Sequence, residues 1–215
     1  MWYEDVYREI VNGTARRSLP HWAGGVLDDI VTGRRAIRAV RHPLGFLCLP
    51  LERRGDLGVC LHIWSARLWR AHPTTSQVHS HSWDLYSYVL YGRLSNVPAT
   101  ITTGATHRIF EVVSRGDMDE IRATPRTVHY TAGPPGVQRA GDTYTLPAGM
   151  FHSTEITGDD AATVALGQMS ADAADLSLGA LTTGTHRVRR QHCDGPETIE
   201  AARLTAQRLA ATDAA

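Results

Sequence analysis

His79 and His81, one residue apart in the stretch QVHSHSWDLYSYVLYG (Gln77 to Gly92), are the first residues whose types and spacing could do chemistry. Side chains alternate across an extended chain, so both imidazoles project from one face. Two neutral imidazoles so placed can share a metal ion, and they can equally be two surface histidines. The pair alone leaves both readings open. An acid, Asp84, follows, and then an apolar run closed by Gly92.

A second stretch, GDTYTLPAGMFHSTEI from Gly141 to Ile156, bears on the choice. Its spacing is Gly141, five residues, Pro147, one residue, Gly149, two residues, His152. Pro147 and Gly149 form a tight turn that sets how the strand carrying His152 begins. In this order the two stretches resemble the two conserved motifs of the cupin superfamily. The resemblance covers Val78 to Ile156. It implies a small jelly-roll β-barrel, with a divalent metal held by His79, His81 and His152 at one mouth. Three converging neutral imidazoles suit Fe, Ni, Cu, Zn or Mn. Apolar neighbours would keep water low and leave coordination positions for a ligand.

The chain departs from the cupin pattern at two places. Where the family places a glutamate ligand this sequence has Leu85, which cannot bind metal, and Asp84 stands one residue early. Where the second motif ends in asparagine this sequence has Ile156. The implied ligand set is therefore three histidines. Asp84 is the candidate catalytic residue, as orienter of a histidine ring or as proton carrier, or it is a fourth ligand if a strand bulge turns it inward.

A three-histidine centre resembles that of the thiol dioxygenases and of other oxygen-using cupins. Thiol dioxygenases carry a Ser-His-Tyr relay at alternating positions. No S-x-H-x-Y occurs here, so a thiol substrate is not expected. The implied function is a mononuclear non-haem Fe(II) oxygenase acting on a small molecule, with dioxygen as second substrate. One alternative is a non-redox isomerase, lyase or hydrolase using Zn, Mn or Ni as Lewis acid. Another is a non-enzymatic module that binds a small ligand. The resemblance also allows a homodimer formed through strand edges.

The elements that must position these residues can be read from periodicity. Tyr3, Val6, Tyr7, Ile10 and Val11 recur at helical spacing, with Glu4 and Asp5 in the first turn and Gly13 after the end. A second short helix is expected over Gly25 to Val31, stopping at Gly33. Short β-like runs then follow, from AIRAVRH to ATVALGQM, separated by Gly, Pro, Asn or Asp turns. Near the C-terminus Asp194 and Glu197 form a capping pair around Pro196. They open a helix whose weak apolar face is Ile199, Ala202, Ala206 and Leu209; it either docks on the barrel or frays. The expected organisation is a helical extension over 1–34, a cupin β-barrel over 35–192, and a C-terminal helix or tail over 193–215. The expected fold class is mainly β, a jelly-roll barrel with helices at both ends.

Composition removes several classes of function. The 215 residues suffice for one substantial core. Lys plus Arg and Asp plus Glu are both 22, so nothing attracts the chain as a whole to nucleic acid or to an anionic membrane. There is no lysine, which excludes Schiff-base chemistry and a P-loop. The three cysteines, Cys48, Cys60 and Cys193, form no CxxC. A disulfide framework and a zinc-thiolate site are therefore not expected, and Cys48 and Cys60 read as small core residues. No apolar run approaches the ~20 residues of a membrane span, and the N-terminus lacks a signal-peptide core, so a cytoplasmic protein is expected.

Outside the motifs, His62 in CLHIWSA is a candidate for the barrel interior, whereas His107 and His129 read as packed or surface residues. Trp64, Trp69, Trp83, Tyr86 and Tyr88 are candidates for core or pocket wall. Arg67 and Arg93 are candidates to pair with a substrate carboxylate.

Overall fold

Helix forms first along the chain, where apolar residues recur every three to four positions. The structure, a computed structural model, describes residues 1–68, 71–168 and 173–213. Helix α1 is Tyr3–Val11, with Val6 and Ile10 buried. Helix α2 is Ala15–Val31, ten residues longer at its start than the sequence predicts. Pro20 lies inside it, past the first turn, and its missing N–H costs the helix one backbone hydrogen bond. The buried stripe Ala15, Leu19, Ala23, Val26, Leu27 and Ile30 holds the helix together.

Short strands follow: β1 (Val40–Arg41), β2 (Leu47–Arg54), β3 (Leu57–Ser65), β4 (His79–Ser80) and β5 (Leu85–Tyr91). The next two are long: β6 (Arg93–Arg115) and β7 (Met118–Ala132). ATITTG and THRIFEVV, two of the β-like runs of the sequence, thus belong to one continuous strand, kinked by register shifts rather than cut by a turn. Then come β8 (Gly136–Arg139), β9 (Thr143–Leu146), β10 (His152–Ile156), β11 (Asp160–Gln168), β12 (Asp175–Gly179), β13 (His186–Arg189) and β14 (Gln191–His192).

Helix α3, Gly195–Asp213, closes the described chain. Its first turn is held reciprocally, as the sequence predicts. Glu197 N–H donates to Asp194 Oδ1 at 2.8 Å, and Asp194 N–H donates to Glu197 Oε2 at 3.0 Å.

The strands form two antiparallel sheets. The first runs β14-β1-β2-β3-β11-β5-β9, and the second runs β10-β4-β12-β6-β7-β13, with β8 also paired to β6. The chain passes from one sheet to the other at Gly92, between β5 and β6, where φ is +79°. A Cβ there would lie 2.8 Å from Ala161 Cα and would also meet the Asp160 carbonyl, so the corner requires glycine.

The first sheet has two different faces. Leu47, Leu49 and Leu51 of β2 join Val59, Leu61 and Ile63 of β3, and these pack against buried residues of all three helices. In α3 those residues are Ala201, Ala202 and Leu209, so the C-terminal helix docks beside α2. The opposite face looks into the space between the sheets, where Phe46, Trp64, Val89 and Ala161 meet Leu94 and Ile156 of the second sheet. Tyr86 and Tyr88 lie on the helix side, so they do not line the interior. Among the described residues no helix is long and apolar enough to cross a membrane.

Candidate metal centre

Strand β4 is only two residues long, yet it fixes the site. Antiparallel pairing sets His79 directly opposite His152 at the start of β10. The turn Pro147–Gly149 delivers β10 there: Gly149 takes φ +75°, and its N–H donates to the His81 carbonyl at 2.8 Å. The spacing of the second motif thus ties the turn before His152 to the backbone of the first. The ring centroids are 4.9 Å apart for His79 and His81, 4.3 Å for His79 and His152, and 5.5 Å for His81 and His152. One ring nitrogen from each histidine lies within 4.8 Å of the others.

Backbone carbonyls choose the tautomers. His79 Nδ1–H donates to the Gln77 carbonyl at 2.9 Å, and His152 Nδ1–H donates to the Met150 carbonyl at 3.0 Å. Each bond leaves Nε2 with a bare lone pair, the form that ligates metal. Burial, reinforced by the fields of His81 and His152, holds the His79 imidazole well below its usual pKa. Burial pushes His152 down to about 4, against the opposing pull of the Met150 carbonyl. Both rings are therefore neutral at pH 7. His81 Nδ1 is buried without a hydrogen-bond partner. Two released lone pairs and one orphaned buried nitrogen make a donor set that fits a divalent transition metal.

The carboxylate beside the triad is Asp175, at the start of β12. Its Oδ2 lies 3.8 Å from His81 Nδ1. Its Oδ1 accepts from the Ser82 N–H at 2.9 Å and from the Ser82 hydroxyl at 3.0 Å. Asp175 thereby holds the loop that leaves His81. Sequence reasoning missed it, because only the pairing of β12 with β4 brings it near.

Asp84 is placed elsewhere. It is exposed, and its Oδ1 accepts from the Ala148 N–H at 2.8 Å, pinning the turn that leads to His152. Its charge reaches Tyr3 and Tyr86 on the helix side. The next residue, Leu85, faces inward and packs with Leu146 and Ala165. The position where a cupin would carry its carboxylate ligand is therefore apolar.

The other candidates separate by face. His62 points into the interior, tilted against Phe46 at 4.4 Å, and Phe46 stacks on His42 at 4.3 Å. Half-buried His42 is pushed down to about 3 by removal from water and by the fields of His62 and His81. Trp83 packs on His81 at 4.8 Å, and Trp64 is buried in the interior cluster. Trp69 lies outside the described residues. His107 meets Tyr130 edge to face in the long hairpin, and His129 is exposed beside it. Arg67 and Arg93 are both exposed.

Cys48 and Cys60 do not behave as separate small core residues. Their side chains meet between the sheets, the Cys48 thiol bonding to Cys60. That bond and burial push Cys48 well up, and the same bond, together with one from His62, holds Cys60 well down.

No family model matches the chain, and no curated protein matches it. Among solved structures it is similar to a cupin superfamily protein from Desulfitobacterium hafniense DCB-2. The identity is 10% over 58% of this chain and 78% of that chain, with a TM-score of 0.34. It is also similar to hydroquinone 1,2-dioxygenase PnpCD, solved in complex with Cd2+ and 4-hydroxybenzonitrile. The identity there is 10% over 57% of this chain and 63% of that chain, with a TM-score of 0.32. The chain folds as two packed antiparallel sheets of jelly-roll type, with the two histidine motifs on adjacent strands of one of them.

Proposed function

We propose that this chain is a mononuclear non-haem metal enzyme, an Fe(II)-dependent oxygenase acting on a small molecule. In this reading His79, His81 and His152 hold the ion. The observation that supports it is the convergence of three imidazole nitrogens within 4.8 Å, two of them on rings tautomerically fixed by backbone carbonyls. A bound Fe(II) would supply open coordination positions where substrate and dioxygen are activated. The protein's own part is positional. Neutral rings are ready to ligate without losing a proton first, Trp83 shields one side of His81, and Asp175 steadies the loop behind it. A cytoplasmic location and a homodimer belong to the same reading.

The test is metal analysis followed by nitric oxide binding. The wild type should carry close to one transition metal per chain, and His152→Ala should lose nearly all of it. The Fe(II) form should bind nitric oxide as a dioxygen surrogate and give a high-spin paramagnetic resonance signal. Equal, negligible metal in both proteins would overturn the reading. A metallated wild type that gives no nitric oxide signal would move the function to Lewis-acid chemistry with Zn, Mn or Ni.

A further inference from the structure

The interior holds a second group of donors, on the other sheet. In the β2–β3 pairing Cys48 lies directly opposite His62, and Cys60 lies two residues before His62 on the same strand. The three side chains therefore share the inner face. One donor atom from each, two sulfurs and an imidazole nitrogen, lies within 4.8 Å of the others. All three residues are half-buried, so the group is sheltered without being sealed.

We infer that Cys48, Cys60 and His62 form a second metal site, for a single thiophilic divalent cation of the zinc type. The donor chemistry selects the ion. Two thiolates and a neutral imidazole are soft-to-borderline ligands, which zinc accepts and magnesium or calcium does not. The charges also balance, because a dication with two thiolates is neutral and so tolerates a sheltered interior. Arg53 casts a positive field on both sulfurs, and Arg190 adds to it at Cys48. Three protein donors leave the fourth position of a tetrahedral ion for water. The site owes nothing to local spacing: no CxxC exists, and cross-strand register assembles it.

Phe46 stands between this group and His42, whose ring feels both His62 and His81. The thiol site and the imidazole centre are thus separate, with different donors on different sheets, and each can be emptied without the other.

Cobalt(II) tests the site, because a thiolate-to-cobalt charge-transfer band arises only where sulfur binds the ion. The measurement uses the full chain under reducing conditions, in the wild type and in a His79→Ala/His152→Ala variant. The expected result is a charge-transfer band in both, at about one cobalt per chain in the variant, abolished by Cys60→Ser. Zinc should displace the cobalt, and in the wild type it should slow alkylation of the Cys48–Cys60 pair at least tenfold. That protection decides the matter without mutation if Cys60→Ser fails to fold. Absence of both the band and the protection would overturn the inference. So would a wild-type mass two hydrogens light that reduction restores without creating a cobalt site, since the pair would then be a disulfide only. Neither outcome touches the nitric oxide test of the imidazole centre.

Discussion

The two faces of the first sheet are made by the same strands and do different work. On β2 and β3 the residues facing the helices are Leu47, Leu49, Leu51, Val59, Leu61 and Ile63, all buried in one apolar cluster. The positions between them include Cys48, Cys60, His62 and Trp64, which turn inward. One face is apolar because it must hold three helices. The other is free to carry sulfur and nitrogen because the helix face already anchors the strands. The difference shows how a small β-sandwich can keep titratable groups inside: stability and chemistry alternate residue by residue along one strand.

The strongest way to break this comparison is to damage the helix face alone. Leu61 is fully buried there, and Leu61→Ala should cost about 2–5 kcal/mol of stability. Denaturant unfolding would measure that loss, while metal content per folded chain should match the wild type. Metal lost together with stability would mean the faces are not separable.

A smaller effect is expected on the inner side, at Asp175. Asp175→Asn keeps an acceptor for Ser82 but removes the charge beside His81. Metal affinity should fall by about 10–100-fold with little change in unfolding midpoint. A competitive chelator titration reads this directly, and unchanged affinity would reduce Asp175 to a loop anchor.

The smallest effect is expected at Asp84. Its bond to the Ala148 N–H is exposed, so Asp84→Ala should cost about 1 kcal/mol. Metal content should stay close to wild type, because the carboxylate holds the turn before His152 and does not reach the three rings. Loss of metal as complete as in His152→Ala would instead make Asp84 a ligand.

How much of this could be read from the sequence depends on how far apart the partners lie. Strand parity, which is local, put His79 and His81 on one face, and the resemblance of the two motifs joined His152 to them; their meeting itself rests on the pairing of β10 with β4. The capping pair Asp194 and Glu197 was legible because its signal is local. Asp175 was not, since only the pairing of β12 with β4 brings it to His81. The Cys48–Cys60–His62 group was missed because its members meet across a strand pair rather than along a loop. The start of α2 was misjudged because its first turns are held by tertiary burial of Ala15, Leu19 and Ala23 rather than by a local signal. The inward turn of Asp84 depended on a bulge, and none occurs within β5 where it pairs with β9.

Gly92 carries one more consequence. The chain leaves the first sheet and enters the second at this residue, and the space for its missing side chain is taken by the Asp160 carbonyl and by Ala161. A methyl group there would act as a wedge between β11 and the corner, prying apart the seam where the sheets join. The calibre of the interior between the two sheets is therefore gauged by a single hydrogen atom at their corner.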